Sequence, residues 1–201
     1  MSRHTHTNLT VLILAGGQAT RMGGDDKGLI DCAGRPMIEH VVDKVAPLTA
    51  SVLISANRNL ERYADYGYPV LRDQRSDYPG PLAGIESGLA ACTTDYLWIL
   101  PCDAPAFSSD LLERLTAACS TAEIPAAVPD DGNYLQATFA LLRRETLESL
   151  RHFLSSGQRK LQTWLTELPA VCVNCSDHPE WFANINTPDD LERYTLPLSQ
   201  P

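Results

Sequence analysis

The sequence has no hydrophobic run that could cross a membrane. Its longest apolar stretches are about half of the roughly twenty residues that a membrane-spanning helix requires. Residues 1–8 lack the basic, apolar and small-residue order of a secretory signal, so we expect a flexible polar N-terminus there. The sequence therefore predicts neither a membrane protein nor a secreted one.

Positive charge is also scarce. The chain has 16 Lys and Arg against 25 Asp and Glu, which gives a net charge of −9. Proteins that bind nucleic acids draw most of their affinity from basic side chains that neutralise phosphates. This balance excludes general binding to nucleic acids, and a phosphorylated small molecule would need local cations or a divalent metal.

The cysteines do not form the dense set that is typical of a small disulfide-bonded domain. Six of them are scattered between Cys32 and Cys175, so we expect reduced thiols and a cytoplasmic protein. Cys172, Cys175 and His178 form a candidate zinc site. However, residues i and i+3 of a strand face opposite sides and a fourth ligand is missing, which favours ordinary thiols.

Strand-like and helix-like segments alternate through the first 120 residues. The apolar runs lie at 9–14, 52–55, 69–71 and 96–100, and the segments with helical spacing lie at 37–45, 82–91 and 110–119. This order predicts an α/β protein with a three-layer, Rossmann-like fold, in which helices cover both faces of a mostly parallel, mixed sheet. In such folds, ligands bind at the carboxyl ends of the strands.

The pattern is less regular after residue 120, but no linker separates a second domain. The possible strands lie at 126–129, 137–142 and 171–175, and the possible helices lie near 144–154, 160–165 and 188–194. A single domain over residues 9–195 is therefore expected.

A glycine-rich loop, LAGGQATRMGGDDKG at residues 14–28, follows the first apolar run. Glycine lets a backbone approach a ligand closely, and Arg21 and Lys27 add positive charge, so the loop predicts a polyanion site. The order of its residues matches neither the dinucleotide motif G-x-G-x-x-G nor the P-loop motif G-x-x-x-x-G-K-[ST]. The alternative is a turn without a ligand. Asp25 and Asp26 either orient the cations or are exposed loop acids.

Five separated motifs together resemble one enzyme family. They are L-A-G-G-x-x-x-R-M-G-G-x-D-K at 14–27, Asp73, YPGPLAG at 78–84, PCDAP at 101–105 and NINTP at 184–188. In this order they are similar to the molybdenum cofactor guanylyltransferases. The resemblance implies that GMP is transferred from GTP to the terminal phosphate of molybdopterin or Mo-molybdopterin, with Mg²⁺ as cofactor and pyrophosphate as product. It also implies a GTP-binding part at about 9–120 and a molybdopterin-binding part at about 121–195.

The resemblance assigns GTP binding to a set of residues in the first part. They are Leu14, Ala15, Gly16, Gly17, Arg21, Lys27, Ser55, Asp73, Pro81, Leu82, Gly84 and Asp103. The backbone carbonyls of residues 14–16 could accept hydrogen bonds from N1 and N2 of guanine. Related cytidylyltransferases tend to have alanine in place of Gly16, which favours guanine. Relatives often have asparagine in place of Ser55, whose side chain has a shorter reach.

Arg21, Lys27 and Asp103 are the predicted catalytic residues. The two cations would neutralise charge that accumulates as pyrophosphate leaves. Asp103 lies just after an apolar strand and is the predicted Mg²⁺ ligand, because this metal keeps water and phosphate oxygens in most of its shell. Alternatively, Asp103 is a turn residue before the next helix. The reaction needs no covalent nucleophile, since the attacking group is already a phosphate anion.

The helix predicted at 82–91 has Gly84 and Gly88 on one face. This spacing lets either a ligand or a closely packed strand approach the helix. Its N-terminus could meet a phosphate or the ribose.

The second substrate is predicted from a smaller set of residues. Asn184 and Asn186 flank one apolar residue, so on an extended segment both side chains would point to the same side. The resemblance places them near molybdopterin, and Arg159 either contacts its phosphate or is a solvated cation.

The expected partners are GTP and molybdopterin, with transient contacts to other molybdenum cofactor proteins and acceptor enzymes; a monomer is expected. Three alternatives stay open at this point. They are a molybdopterin cytidylyltransferase, a sugar-phosphate nucleotidyltransferase, and a non-catalytic GTP-binding module that delivers the cofactor.

Overall fold

A computed structural model of the chain describes residues 6–16, 26–75, 80–120 and 124–195. Within these residues the strands are β1 (Leu9–Leu14), β2 (Asp31–Cys32), β3 (Arg35–Pro36), β4 (Ser51–Ser55), β5 (Val70–Leu71), β6 (Tyr96–Pro101), β7 (Ala126–Asp130), β8 (Leu141–Arg143) and β9 (Val171–Asn174). The α-helices are α1 (Met37–Val45), α2 (Leu60–Ala64), α3 (Pro81–Ala91), α4 (Ser109–Ala118), α5 (Leu147–Ser155), α6 (Leu161–Glu167) and α7 (Pro188–Thr195). Short 3₁₀ turns lie at Lys27–Leu29, Ala137–Phe139, Arg144–Thr146 and Pro179–Phe182.

The central sheet has seven strands in the order β5-β4-β1-β6-β8-β7-β9. β1 pairs in parallel with both β4 and β6, so Leu12 lies opposite Leu53 on one side and Ile99 on the other. β8 alone runs against its neighbours β6 and β7. This arrangement confirms the predicted α/β fold with a mostly parallel, mixed sheet.

Helices bury both faces of the sheet. Val11 and Ile13 of β1 pack into a core with α1 and α4, whereas Leu12 packs into a second core with α3, α5 and α6. Successive side chains of a strand point to opposite faces, so a central strand that is covered on both sides needs a continuous apolar sequence. The run of apolar residues in β1 meets this requirement, and the three layers follow from it.

The predicted strand at 137–142 is wrong in its first half. Residues Ala137–Phe139 form a 3₁₀ turn, and only Leu141–Arg143 form the strand β8. The Phe139 carbonyl accepts a hydrogen bond from the buried indole N–H of Trp98 at 3.0 Å, which holds the turn against β6. The helix predicted from residue 144 begins at Leu147, because Arg144–Thr146 form another 3₁₀ turn.

The small hairpin of β2 and β3 and the helix α2 were not predicted. The hairpin closes through Ala33 and Gly34, whose φ angles are +56° and +82°. Two-residue hairpin turns of this kind need positive φ at both positions, and they are usually marked by Asn-Gly or Asp-Gly. Alanine at the first position removed that signal from the sequence.

No helix within the described ranges is both long enough and apolar enough to span a bilayer. All six cysteines are free thiols, of which Cys172 is exposed and the other five are buried. In the part of the chain that the structure describes, no three His, Cys, Asp or Glu side chains are grouped so that they could hold a metal ion. Cys172 and Cys175 of the candidate zinc site thus differ in exposure.

Candidate functional site

A cavity of about 480 Å³ opens at the carboxyl edge of the sheet. The residues that line it come from the ends of β1, β4, β5 and β6, from the start of α3 and from the turn before β8. They are Leu14, Gly16, Ser55, Asn57, Asp73, Gly80, Pro81, Gly84, Pro101 and Thr138. Six of these were predicted for GTP, so the structure brings separated parts of the motif set to one place.

The remaining residues that were predicted for GTP binding have different positions. Ala15 is buried, and its backbone N–H donates to the Ser55 carbonyl at 2.8 Å, which ties the loop after β1 to the end of β4. Leu14 does line the cavity, but its carbonyl accepts from the N–H of Cys102 at 3.1 Å. The Leu82 side chain is fully buried in the core below α3. Gly17 and Arg21 lie outside the described residues.

Asn57 fixes the position of Asp73 in the cavity wall. Its amide nitrogen donates to Asp73 Oδ2 at 2.8 Å, and its amide oxygen accepts from the backbone N–H of Asp73 at 3.0 Å. Burial raises the pKa of Asp73, and the hydrogen bond from Asn57 opposes that rise. Asn57 was not among the predicted site residues, although it ends the Ser55-Ala56-Asn57 segment in which Ser55 was chosen.

The start of α3 packs closely against the strands. A Cβ on Gly84 would collide with the Ser55 hydroxyl and lie 3.2 Å from Leu14 Cδ2. A Cβ on Gly88 would lie 2.5 Å from Leu12 Cδ2. The two glycines therefore let the helix approach β1 and β4, as the packing alternative requires, while Gly84 also lines the cavity.

Close to the carboxyl end of β6, Lys27 connects the N-terminal and C-terminal parts of the chain. Its Nζ atom donates to Asp103 Oδ2 at 3.0 Å and to Asn186 Oδ1 at 2.5 Å. Asp103 lies two residues beyond β6, and its carbonyl accepts from the N–H of Ile185 at 2.7 Å. The side chains of Lys27 and Asp103 are 25% and 15% exposed, so a ligand can reach both.

The N-terminus of α7 holds the segment that carries Asn186. Asp190 Oδ2 accepts from the backbone N–H groups of Asn186 and Thr187 at 3.1 and 3.0 Å, and the Thr187 hydroxyl accepts from the Asp190 N–H at 3.2 Å. This is the reciprocal pattern of a capping box, with Asp in place of Glu or Gln. The helix that follows, Pro188–Thr195, agrees with the one expected near 188–194.

The other two residues predicted for molybdopterin have different local surroundings. Asn184 is exposed. Arg159 donates to the carbonyls of Leu154 and Gln158 at 2.9 and 2.6 Å, beyond the C-terminal end of α5. In this structure its guanidinium satisfies the carbonyls at a helix end.

Comparison with known proteins shows the family of this chain. The model of the "MobA-like NTP transferase domain" matches residues 11–171. The chain belongs to this family. Among its relatives, the molybdenum cofactor guanylyltransferase of Photobacterium profundum is 44% identical over 183 residues, which cover 91% of this chain and 93% of the relative. The molybdenum cofactor guanylyltransferase of Shewanella sp. strain W3-18-1 is 39% identical over 194 residues, which cover 96% and 99%.

The same fold occurs in a solved structure. Molybdopterin-guanine dinucleotide biosynthesis protein A from Archaeoglobus fulgidus superimposes with a TM-score of 0.77 at 24% identity, covering 92% of this chain and 95% of that one. The predicted family and the predicted nucleotidyltransferase class are therefore confirmed. The individual roles that were predicted for residues of this MobA-like chain stay predictions.

Asp103 has the chemistry that a Mg²⁺ site in such a transferase needs. Its Oδ2 atom contacts Lys27, whereas Oδ1 has no hydrogen bond among the described residues. Mg²⁺ binds oxygen ligands and commonly needs only one or two carboxylates when substrate phosphates and water complete its shell. The residues at this edge of the sheet therefore fit a Mg²⁺ ion that arrives with a nucleotide.

Proposed function

We propose that this protein transfers GMP from GTP to the terminal phosphate of molybdopterin or Mo-molybdopterin and releases pyrophosphate. The observation that carries the proposal is the Lys27–Asp103–Asn186 cluster, in which Asp103 lies two residues beyond Pro101 of the cavity wall, at the carboxyl end of β6. A cation and a carboxylate at the edge of a nucleotide-sized cavity suit phosphoryl chemistry. The names of the relatives supply the identity of the two substrates.

Lys27 is the residue that would act on the reacting phosphates. A terminal phosphate oxygen of the acceptor forms a bond to the α-phosphorus of GTP, while the bond from that phosphorus to the bridging oxygen breaks. The electron pair of that bond leaves with pyrophosphate. The Nζ atom of Lys27 supplies a compact positive charge where this negative charge develops, and such a group stabilises the transition state more than the ground state.

Asp103 would hold the metal through the oxygen that Lys27 leaves unused. Mg²⁺, when bound, neutralises phosphate charge and keeps the reacting groups in line. Because Lys27 donates to the other carboxyl oxygen, Asp103 is restrained before substrate binds. The carboxylate therefore contributes orientation as well as charge.

The cavity would hold the guanine nucleoside. Guanine offers N–H donors, and the Gly16 carbonyl, the Ser55 hydroxyl and the Asp73 carboxyl group are acceptors of residues that line the cavity, whereas the Leu14 carbonyl already accepts from Cys102. The residue pair Asn57–Asp73 keeps one of these acceptors in a fixed orientation. The side of the cluster that carries Asn186 would then face molybdopterin.

We propose a cytoplasmic location, which the six free thiols support. Its predicted monomeric state and its transient contacts with other molybdenum cofactor proteins and acceptor enzymes stay predictions.

The proposal is tested by measuring pyrophosphate release with molybdopterin and Mg²⁺ present. GTP, CTP, ATP and UTP are offered separately, each with and without a chelator. Turnover with GTP alone, abolished by chelation, is the expected result. Turnover with CTP would instead identify a cytidylyltransferase, and turnover that needs a sugar phosphate would identify the other alternative enzyme.

Asp103→Ala separates the enzyme from a cofactor-delivery module. In a guanylyltransferase this variant should lose turnover by at least about a hundredfold, because the metal and Lys27 both lose their partner. In a delivery module it would bind GTP as before, and neither it nor the unmodified chain would release pyrophosphate.

A further inference from the structure

Lys27 follows a buried acid that has its own hydrogen-bond partners. Asp26 is only 8% exposed, and each of its carboxyl oxygens accepts a hydrogen bond. The Tyr63 hydroxyl donates to Oδ1 at 2.5 Å, and the Asn59 amide donates to Oδ2 at 3.1 Å. Asp26 is thus not an exposed loop acid, and its carboxylate is held by Tyr63 of α2 and by Asn59 just before that helix.

Tyr63 also contacts the residue on the other side of Lys27. A Cβ on Gly28 would lie 2.6 Å from the Tyr63 hydroxyl oxygen and 3.4 Å from Cys102 Sγ. Tyr63 itself is completely buried, and burial raises the pKa of its hydroxyl well above the usual range. The hydroxyl therefore stays protonated as a donor to Asp26. The residues on both sides of Lys27, Asp26 and Gly28, lie against this hydroxyl.

Helix α2 and the residue before it supply the two donors. Asn59 immediately precedes the helix, and Tyr63 lies four residues later within it. Asn59 has a left-handed backbone, with φ of +50°, and the N–H of Tyr63 donates to its carbonyl at 3.1 Å. Asparagine adopts this conformation more readily than most residues, and here it directs an amide at Asp26.

We propose that Tyr63 and Asn59, acting through Asp26, are positioning residues that hold Lys27 at the reacting phosphates. The inference rests on the proposed function, which places Lys27 in the chemistry. A lysine side chain is long and flexible, so its charge is placed accurately only if its backbone is fixed. A misplacement of about 1 Å at a reacting centre can cost on the order of a hundredfold in rate.

The same contacts could serve the fold alone, and the two roles predict different kinetics. A structural role changes the free energy of unfolding and leaves the rate of the folded enzyme unchanged. A positioning role lowers kcat while the cavity, and with it the KM for GTP, stays nearly the same. Substitutions therefore have to be compared under conditions where each variant is folded, as circular dichroism and urea unfolding establish.

Tyr63→Phe is the first variant, because it removes one oxygen atom and keeps the ring. It should lower kcat by about tenfold or more and change the KM for GTP by less than about threefold. Tyr66→Phe is the matched control. Tyr66 is a partly buried tyrosine just after α2 whose hydroxyl interacts with Glu39, and its loss should leave both constants within about twofold.

A second pair of variants guards against a folding defect. Asp26→Ala should lower kcat as Tyr63→Phe does, whereas Asp26→Asn should keep more activity than Asp26→Ala, because its amide oxygen still accepts from Tyr63 while its amide nitrogen no longer accepts from Asn59. Asn59→Gly keeps the left-handed backbone, removes only the amide donor and should cause a smaller fall in kcat.

A readout that needs no turnover follows the side-chain ¹⁵N signal of Lys27, which is assigned by its disappearance in Lys27→Ala. Tyr63→Phe should shift or broaden this signal, and Tyr66→Phe should not. If the unmodified chain shows no guanylyl transfer, the proposed function fails and this signal still tests the positioning role. If the chain is active and folded Tyr63→Phe keeps its kcat and its Lys27 signal, the positioning role is wrong.

Discussion

The Nζ atom of Lys27 lies 3.0 Å from Oδ2 of Asp103, although the two residues are 76 positions apart. The contact joins the end of the glycine-rich loop to the loop that follows β6. Asn186 extends it to the C-terminal part of the chain, because Lys27 also donates to its side-chain oxygen. One ammonium group therefore connects the segments that we assign to the nucleotide, the metal and the acceptor.

Removal of the Lys27 ammonium group should affect the reaction far more than the fold. We expect Lys27→Ala to lower kcat by about a hundredfold or more, as is usual when a group that stabilises transition-state charge is lost. The free energy of unfolding should change by about 1 kcal/mol or less, because partly exposed ion pairs contribute little. Pyrophosphate release and urea unfolding measure the two effects.

The control for this prediction is Arg151→Ala. It removes another partly exposed cation, which pairs with Glu148 at 2.9 Å on α5. Its rate should equal that of the unmodified chain. A normal rate in Lys27→Ala would exclude Lys27 from the chemistry.

In the absence of ligand, Asp73→Asn should become more stable than the unmodified chain as the pH rises. Burial raises the pKa of Asp73 above its ordinary value of 3.8, so the folded state binds a proton that the unfolded state has released. The contribution of Asp73 is therefore fully present below pH 3.8 and is lost as the pH rises through its folded pKa. Urea unfolding over a pH series should show the variant gaining stability relative to the unmodified chain across this window.

Asp177→Asn should show the opposite pH dependence. The Arg114 guanidinium, at 2.6 Å, lowers the pKa of Asp177 to about 2. Its contribution is present above pH 3.8 and is lost as the pH falls towards 2, so the variant should be less stable at neutral pH and approach the unmodified chain in acid. Equal pH profiles for both variants would contradict these assignments.

Gly88→Ala should destabilise the fold through close packing of α3 on β1. The new methyl group would lie 2.5 Å from Leu12 Cδ2, and overpacking a buried site costs about 1–3 kcal/mol. Alanine stabilises a helix by up to about 1 kcal/mol more than glycine does, which offsets part of this cost. We therefore expect the free energy of unfolding to fall by about 1 kcal/mol. Urea unfolding measures it.

Leu12→Ala provides the matched test, because it removes the atoms that the new methyl group meets. Alone, it should cost about 2–5 kcal/mol by leaving a cavity. Combined with Gly88→Ala, it should cost less than the sum of the two single losses. Additive losses would show that the methyl group and Leu12 do not collide.

Cys172 should be the one thiol that reacts readily in the folded protein. It is exposed, and the other five cysteines are buried, including Cys102 beside Asp103. Burial raises the pKa of the Cys172 thiol, so its reaction at neutral pH should be slower than that of a free cysteine. A thiol titration should count one reactive thiol before urea is added and six afterwards. In Cys172→Ser, no thiol should react readily before urea is added.

Much of the fold could be predicted from sequence because its strands are buried and its helices are regular. The limits of β1, β4, β6, α1 and α3 fall within one residue of those expected. By contrast, β8 has only three residues and exists through its pairing with β6 and β7, so its own sequence carries little signal.

Most of the candidate site was predicted where its residues are contiguous in a motif. The contacts that orient those residues could not be predicted in the same way. Asn57 meets Asp73 across 16 positions, and Tyr63 meets Asp26 across 37 positions. Such pairs form only after separate strands and helices pack together, and neither member has a neighbour in sequence that indicates its partner.

The reversed direction of β8 has a consequence for how this enzyme scaffold can diversify. Six strands present their carboxyl ends to the ligand edge, whereas β8 presents its amino end there. The segment from Asp130 to Leu141 therefore leaves that edge and returns to it, and Thr138 of this segment forms part of the cavity wall. Insertions or exchanges at residues 131–138, which precede the buried Phe139, can reshape the cavity wall without changing the register of the sheet. Substrate range and fold stability can thus evolve separately at this position.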